Sequence, residues 1–538
     1  MPDFNDFVGK NYSLPGAAIG RPLSGGKVAK GLEVSVPFSS FTRHGLVAGS
    51  TGTGKSRAVQ KIIEKLSKEG IPVFLSDVKG DVSGFCVPGG AARAEKRAEE
   101  LGCEWSPRAF PAVYWSVSDR FVPLRFRVSD VGAVLFSRLL GLNPVQESHL
   151  NIAFIYAEQN AQDLVFLDDL KKVLEFLKAH PEEVSGTSPQ AINVILRKLS
   201  ELSAGPGGKM FGEPAIELKD AMKGGRINVL SLSDAGGDNV SALASAFLLH
   251  KFFKELPEIG EVEKPGMVFF LDEAHVLFKE ANKTLVDLVT TILRRIRSKG
   301  VGVFFITQDA LDLPSPVLKL LGTKIQFAMR AFTKKELGDM KAVAESFPQS
   351  DYYDVREEIK ALSAGQSFVS LLGGNGESLP AVKVAWYPPE SLIDAPDEEA
   401  LEKAVGESGL RGKYAARQKQ TALAEFLKSK PAKAEARQET EKPAKTATEK
   451  PGREGAGGAL GKTILRIFWV AMKAVETFLY FVAYKPGKWF LKWVARKPKR
   501  IAWVVFFILL ALAVFRYWPQ VSAASTAIVS LLDKLVGG

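Results

Sequence analysis

Cysteine is almost missing from this chain: Cys86 and Cys103 are the only two in 538 residues. Two thiols cannot build a disulfide framework, and these form no CxxC pair of the kind that holds zinc. A reducing compartment such as the cytoplasm is therefore expected. Histidine is scarce too. His44, His149, His180, His250 and His275 are scattered, with no metal-ligand spacing among them. The first residues show no basic segment followed by an apolar run, so no secretory leader is expected. No internal repeat is visible.

Positive charge is also missing where a net of +11 would lead one to seek it. Residues 1–410 hold 47 Lys/Arg against 52 Asp/Glu, a net of −5. The excess lies in residues 411–516, with 23 basic and 7 acidic side chains. Bulk charge gives no argument for a nucleic-acid groove on the main body. The 46% hydrophobic and 24% charged residues fit a globular core, and the length allows two or three domains.

What is present is an alternation of short apolar runs and helical patterns. Residues 1–40 are rich in Gly and Pro with one strand-like run, Leu32–Val36, and predict a small β segment. Leu46–Ala48, Val73–Leu75, Val113–Trp115, Ile227–Leu232, Met267–Leu271 and Val301–Ile306 predict buried strands. Ser56–Lys68, Val240–Phe253 and Leu285–Arg297 predict helices. Such alternation implies an α/β fold, a mostly parallel sheet covered on both faces. Lys324–Ala328, Gln366–Leu371 and Val382–Trp386 are candidates to extend it. Apolar residues at helical spacing between about 128 and 205 predict a helical insertion. The main α/β body is thus expected over 41–389. From 390 to 460 the composition shifts to Ala, Lys, Glu, Pro and Gly, which predicts a charged, disordered linker.

The chemistry begins at Gly49-Ser50-Thr51-Gly52-Thr53-Gly54-Lys55-Ser56, which matches GxxxxGK[ST] between a strand and a helix. Glycines let successive N–H groups point at phosphate oxygens, and the helix N-terminus adds its positive end. Lys55 supplies a cation for the β/γ-phosphates and Ser56 a hydroxyl for Mg²⁺. A second apolar strand, Met267–Leu271, ends in Asp272 and Glu273. The first acid suits the Mg²⁺ shell and the second suits polarising the attacking water. A strand–helix–strand unit sets Gln308 beside Asp272 at the carboxyl edge, where an amide senses the γ-phosphate or orients water.

The intervening helix carries Arg294, Arg295 and Arg297, and Arg330 follows a later strand. Arg297 and Arg330 are the rival candidates for an arginine finger given to a neighbouring subunit. Asp77-Val-Lys-Gly-Asp81 ends a neighbouring strand, and its carboxylates serve either the Mg²⁺ network or a turn. His275 reads as a packed histidine rather than a ligand. The segment Asn282-Lys-Thr-Leu285 lacks the Asp of NKxD, which favours ATP over GTP.

Gly45–Lys55, Val73–Asp81, Ser137–Asn143, Phe269–His275, Ile296–Gln308 and Gln326–Phe332 together resemble the HerA-like bacterial ATPases of the HerA/FtsK superfamily. The resemblance covers roughly residues 11–388. It implies a RecA-like ATPase fold, ATP and Mg²⁺ as cofactors, hydrolysis at the interfaces of a hexameric ring, and DNA as the moved substrate. By motif match Lys55, Ser56, Asp272, Glu273 and Gln308 carry the reaction. Only 48 residues precede Gly49, so the β-barrel that precedes the motor in archaeal HerA is not expected. Two alternatives stay open: secretion-type relatives act on protein or a membrane assembly, and a regulatory module holds ATP without turnover.

The C-terminal region departs from that family. Ile501–Phe515 carries no charge and the apolar stretch reaches Trp518. Eighteen helical residues span about 27 Å, just short of a ~30 Å hydrocarbon core. Arg496, Lys497, Lys499 and Arg500 precede it, so the positive-inside rule predicts a helix crossing the inner membrane over 501–518, with the ATPase in the cytoplasm. Over 463–484, with Lys462 just before it, Arg466 and Lys473 fall towards one face of an apolar helix. This predicts an amphipathic segment in contact with lipid, completing a membrane-associated region over 461–538.

Overall fold

The computed structural model describes residues 3–184, 188–233, 237–279, 283–373 and 376–416. Its centre is one twisted sheet. In chain order the strands are β1 Ala17–Ser24, β2 Lys27–Val28, β3 Val34–Val36, β4 Gly45–Ala48, β5 Val73–Asp77, β6 Ala112–Ser116 and β7 Val122–Pro123. They continue as β8 Ile227–Ser231, β9 Met267–Leu271, β10 Val301–Thr307, β11 Thr323–Phe327, β12 Gln366–Ser370 and β13 Val382–Trp386. Across the sheet the order is β2-β1-β13-β12-β11-β4-β10-β9-β5-β8-β6-β7, with β3 also on β1.

From β11 to β7 every neighbouring pair is parallel; β12, β13 and β1 add an antiparallel flank. The parallel strands β4, β5, β6, β9 and β10 are buried along their whole length, as expected where helices cover both faces. The order β4-β10-β9-β5 has a direct consequence. Four segments from two distant parts of the chain, 45–77 and 267–307, emerge side by side at one carboxyl edge, at steps of about 4.8 Å.

The helical insertion lies between β7 and β8, with long helices over Pro144–Gln159, Leu167–Ala179 and Pro189–Ala204. Two of them start from built-in signals. The Asn143 side chain accepts from Gln146 N at 3.0 Å and Ser188 Oγ from Ala191 N at 3.4 Å, each followed by a proline in the first turn. Leu170, Leu174, Leu177, Ile192, Ile195 and Leu199 bury the facing sides.

Two expectations at the borders need correction. Residues 1–40 are not a separate β segment. They open with a helix, Phe4–Asn11, and β1 pairs with β13 as part of the main sheet. Gly20 and Pro22 disguise β1, because both residue types argue against a strand. The charged linker does not begin at 390. Helices form over Glu398–Glu407 and Leu410–Ala415, and Tyr414 is fully buried with its ring 5.3 Å from that of Trp115. Three apolar anchors, Val405, Leu410 and Tyr414, suffice to dock this polar segment. The rest of the expected linker and both membrane segments, 463–484 and 501–518, lie outside the described residues. Among the described residues no helix is long and apolar enough to cross a membrane.

Candidate functional site: a phosphate loop beside four carboxylates

The phosphate loop joins β4 to the Lys55–Lys68 helix. Gly49, Gly52 and Gly54 have φ of 146°, 78° and 103°, conformations open to glycine. Space is equally demanding: a Cβ on Gly49 would stand 2.5 Å from Cβ of Phe327. The loop is pinned from β11 and β12. Ser50 N donates to Ala328 O at 2.9 Å, and Gly365 N donates to Thr53 O at 2.9 Å. Thr53 Oγ1 closes the loop on Ser50 O at 2.7 Å. No side chain caps the following helix, so its first N–H groups remain available to an anion.

Lys55 curls back over this loop. Its ammonium donates to Gly49 O and, at 3.0 Å, to Ser50 O. Burial lowers its pKa, while the neighbouring Glu273 charge works to raise it. The amine is therefore held where the β- and γ-phosphates would lie, on carbonyls that a phosphate oxygen can replace.

The acids stand opposite. Asp77, Asp81 and Asp272 bring carboxylate oxygens within 4.8 Å of one another. Burial, then the charges of Glu273 and Asp77, push Asp272 up to about 7. Burial also pushes Asp77 up to about 6, even though Gly80 N and Val82 N donate to it at 2.8 and 3.2 Å. Ser56 Oγ donates to Asp81 Oδ2 at 3.1 Å. A hydroxyl beside several crowded oxygen ligands, with protonation favoured by mutual repulsion, fits a hard divalent cation such as Mg²⁺. Ser56 and Asp272 were the expected metal residues. Asp81 and Asp77 stand in the same cluster as Asp272, and Asp77 also accepts from the turn.

Glu273 occupies an unusual position. Its backbone φ is 48°, in the left-handed region where a non-glycine residue is strained. Its side chain is 9% exposed and pairs through Oε1 with the Lys79 ammonium. Gln308 Nε2 stands 3.4 Å from the same oxygen, and His275 Nδ1 lies 3.1 Å from Oε2. Burial works to raise this carboxyl, but the Lys79 hydrogen bond and charge outweigh it and the net shift is downwards. Gln308 Oε1 accepts from Thr51 Oγ1 at 3.3 Å. One relay thus links the tip of the phosphate loop to Gln308, Glu273 and Lys79.

Loop, acids and Gln308 come together as expected, and Arg330 lies beside them; Arg297 does not. Arg330 lies at the lip of the loop, where its backbone N donates to Ser50 Oγ at 3.1 Å and its side chain is exposed. Arg297 lies at the far edge. The Lys283–Ile296 helix runs back to the start of β10, so Arg297 and Gln308 are separated by the length of that strand, about 23 Å at ~3.3 Å per residue. Arg297 pairs there with Glu261. The sequence placed it near the active edge because a helix pattern gives no direction relative to the sheet. Lys79 is a site residue that no local motif marks. Its signal was a lysine between two acids at a strand end, which becomes informative once β5 is known to lie beside β9. Of the other histidines, His44 is a buried structural residue: Val303 N donates to it at 3.1 Å, and burial lowers it to about 4.

The family model for the helicase HerA-like C-terminal domain matches residues 26–474. The chain is 23% identical over 390 residues to the DNA double-strand break repair helicase HerA of Saccharolobus solfataricus, covering 71% of this chain and 72% of that one. It is 24% identical over 360 residues to the same-named protein of Sulfurisphaera tokodaii, covering 66% and 67%. Among solved structures, VirB4 of Thermoanaerobacter pseudethanolicus aligns with a TM-score of 0.47 at 15% identity, over 70% of this chain and 98% of that one. The matched span contains the phosphate loop, the acidic strand end and Gln308, and the chain belongs to the helicase HerA-like C-terminal family as a P-loop ATPase of the HerA/FtsK type.

Proposed function

We propose that this ATPase works as a homo-oligomeric ring, a hexamer of RecA-like subunits, that moves DNA. We further propose that its C-terminal region holds it on the cytoplasmic side of the inner membrane. The observation that carries the ring is the open rim of the site. Thr51, Gly52 and Arg330 are exposed and Lys79 is half-exposed, although phosphoryl transfer is favoured where water is excluded. A neighbouring copy closes such a rim, and Arg297 or Arg330 is the arginine that one copy gives to another. DNA comes from the relatives, which are named as DNA repair helicases. The anchor comes from the uncharged run Ile501–Phe515 and the cations before it.

In this reading Lys55 and the loop N–H groups hold the triphosphate, and Gln308 orients a water. Glu273 accepts a proton from that water as its oxygen bonds to the γ-phosphorus. The bond from phosphorus to the bridging oxygen breaks, releasing ADP and phosphate. When bound, Mg²⁺ neutralises charge on the phosphates, and Ser56, Asp272 and Asp81 are the residues that would hold it.

The test is ATP hydrolysis by the detergent-purified full chain with single-stranded DNA, duplex DNA or none. DNA-stimulated turnover that vanishes in Lys55→Ala is expected. An active protein indifferent to every DNA overturns the substrate assignment. It would favour the second reading, an ATPase acting on protein or a membrane assembly, which the net of −5 over residues 1–410 supports. Flotation of the full chain with anionic vesicles tests the anchor, and a hexameric mass in solution tests the ring.

A further inference from the structure

Glu273 is the general base of the proposed reaction, yet the structure holds it in an arrangement in which it cannot act. Oε1 accepts the Lys79 ammonium and faces Gln308 Nε2 at 3.4 Å. Oε2 is shut off from solvent and faces His275 Nδ1 at 3.1 Å. A base needs an oxygen that a water can reach at about 2.6–3.2 Å. Neither oxygen offers one here.

We propose that Lys79 is a positioning residue that restrains Glu273, so that hydrolysis requires this ion pair to part. The inference rests on the reading of Glu273 as the base. Three features support it. The pair joins β5 to β9, strands adjacent in the sheet but distant in sequence, so it reports on the arrangement of the whole acidic edge. The Lys79 side chain is 50% exposed while that of Glu273 is 9%, so the ammonium is the half that an arriving triphosphate or neighbouring copy meets first. The relay from Thr51 through Gln308 ends on the same oxygen that Lys79 occupies, so a change at the loop tip is felt at the pair. Lys79 thereby couples occupancy of the rim to the freedom of the base.

The experiment compares the full chain with Lys79→Met, Lys79→Arg, Glu273→Gln and the double variant Lys79→Met/Glu273→Gln in steady-state hydrolysis of Mg-ATP without any polymer. Lys79→Met is expected to raise kcat about three- to tenfold with KM changed less than about twofold, a gain well inside what a general base contributes. Lys79→Arg keeps the pair and stays near the parent rate. The double variant falls to the level of Glu273→Gln alone, because there is no base left to release. An unchanged or lowered kcat in Lys79→Met, or a KM raised more than about threefold, overturns the restraint; if Glu273→Gln is inactive, the base assignment still stands. A Glu273→Gln chain that keeps its activity sinks the base assignment and this inference with it. Melting curves and fluorescent-nucleotide affinity accompany each variant. Should Lys79→Met not fold, Lys79→Gln, which stays polar but uncharged, decides in its place.

Discussion

Two clusters of carboxylates sit at opposite ends of the Lys55–Lys68 helix, and they are built in opposite ways. Towards the C-terminal end, Glu64 is fully buried and accepts from Glu390 N, Ser391 N and Ser391 Oγ at 2.6–2.9 Å. Lys61 stands 3.0 Å from Glu390 and 3.8 Å from Glu64, and Lys68 reaches Glu390 at 2.5 Å. Burial works to raise Glu390, but its two ammonium partners leave it below the ordinary range. Charges there meet opposite charges and backbone donors, and the result is a clamp that straps residues 390–392 onto the helix carrying the phosphate loop. At the N-terminal end, Asp77, Asp81 and Asp272 face one another, and Glu273 sits in strained backbone. The first cluster is complete without a ligand. The second stays electrostatically unbalanced until a cation and a triphosphate arrive, which is what a binding edge requires.

The largest effect expected from breaking this contrast is at Glu273. Glu273→Gln should lower kcat by about 10²- to 10⁴-fold without lowering the melting temperature, because the site is not what holds the fold. A rate within about threefold of the parent would show that the acidic edge is not the reaction centre. Glu64→Ala should do the reverse. It leaves Lys61 with one partner fewer and two backbone N–H groups without theirs, and should cost about 3 kcal/mol by chemical denaturation. Unchanged stability would mean that the strap is a passive contact.

A smaller effect at the N-terminal cluster is one of pH. Asp272 and Asp77 are raised in the folded state, so these two groups hold more protons in the native protein than in the unfolded chain between about pH 4 and 7. Their contribution to stability is full below the unfolded pKa and is lost as pH rises through the folded values. His44 and His250, which burial lowers to about 4, work the other way over the same window, so the effect is read as a difference between variant and parent. In the metal-free protein Asp272→Asn should gain roughly 1 kcal/mol on the parent as pH rises from about 4 to 7, and Mg²⁺ should shrink that difference by stabilising the parent. A difference that stays constant or reverses across this window would contradict the repulsion. The smallest effect on folding belongs to Arg297→Ala. Its pair with Glu261 is at the surface, 39% and 79% exposed, so stability should change by less than about 1 kcal/mol. Its hydrolysis should fall and then recover on mixing with Lys55→Ala chains, because Arg297 can reach a phosphate loop only on another copy. Loss of activity without recovery would remove it as a donated arginine.

What was legible beforehand follows from the range of the interactions. The phosphate loop, Asp272-Glu273 and Gln308 are each encoded by a few consecutive residues at a strand end, and the buried strands announce themselves by unbroken apolar runs. The insertion helices carry both apolar spacing and their own caps. The strap at 390–392 and the helices after it were masked by a charged composition, because what buries them lies more than 280 residues away in Glu64, Gln60 and Trp115. β1 was hidden by Gly20 and Pro22, and its strand partner β13 lies at the other end of the domain.

By itself the sequence determined the chemistry: which side chains bind phosphate, which supply carboxylates, and which segments form the parallel sheet. These depend on local backbone conformation and on burial patterns a few residues long. Only the tertiary structure decided how those parts face one another. The strand order β4-β10-β9-β5 put Lys79 on Glu273, brought Asp81 to Ser56, and sent Arg297 to the opposite edge. The physical reason is that a strand's neighbours are chosen by packing over the whole sheet, a free-energy balance that no local pattern carries.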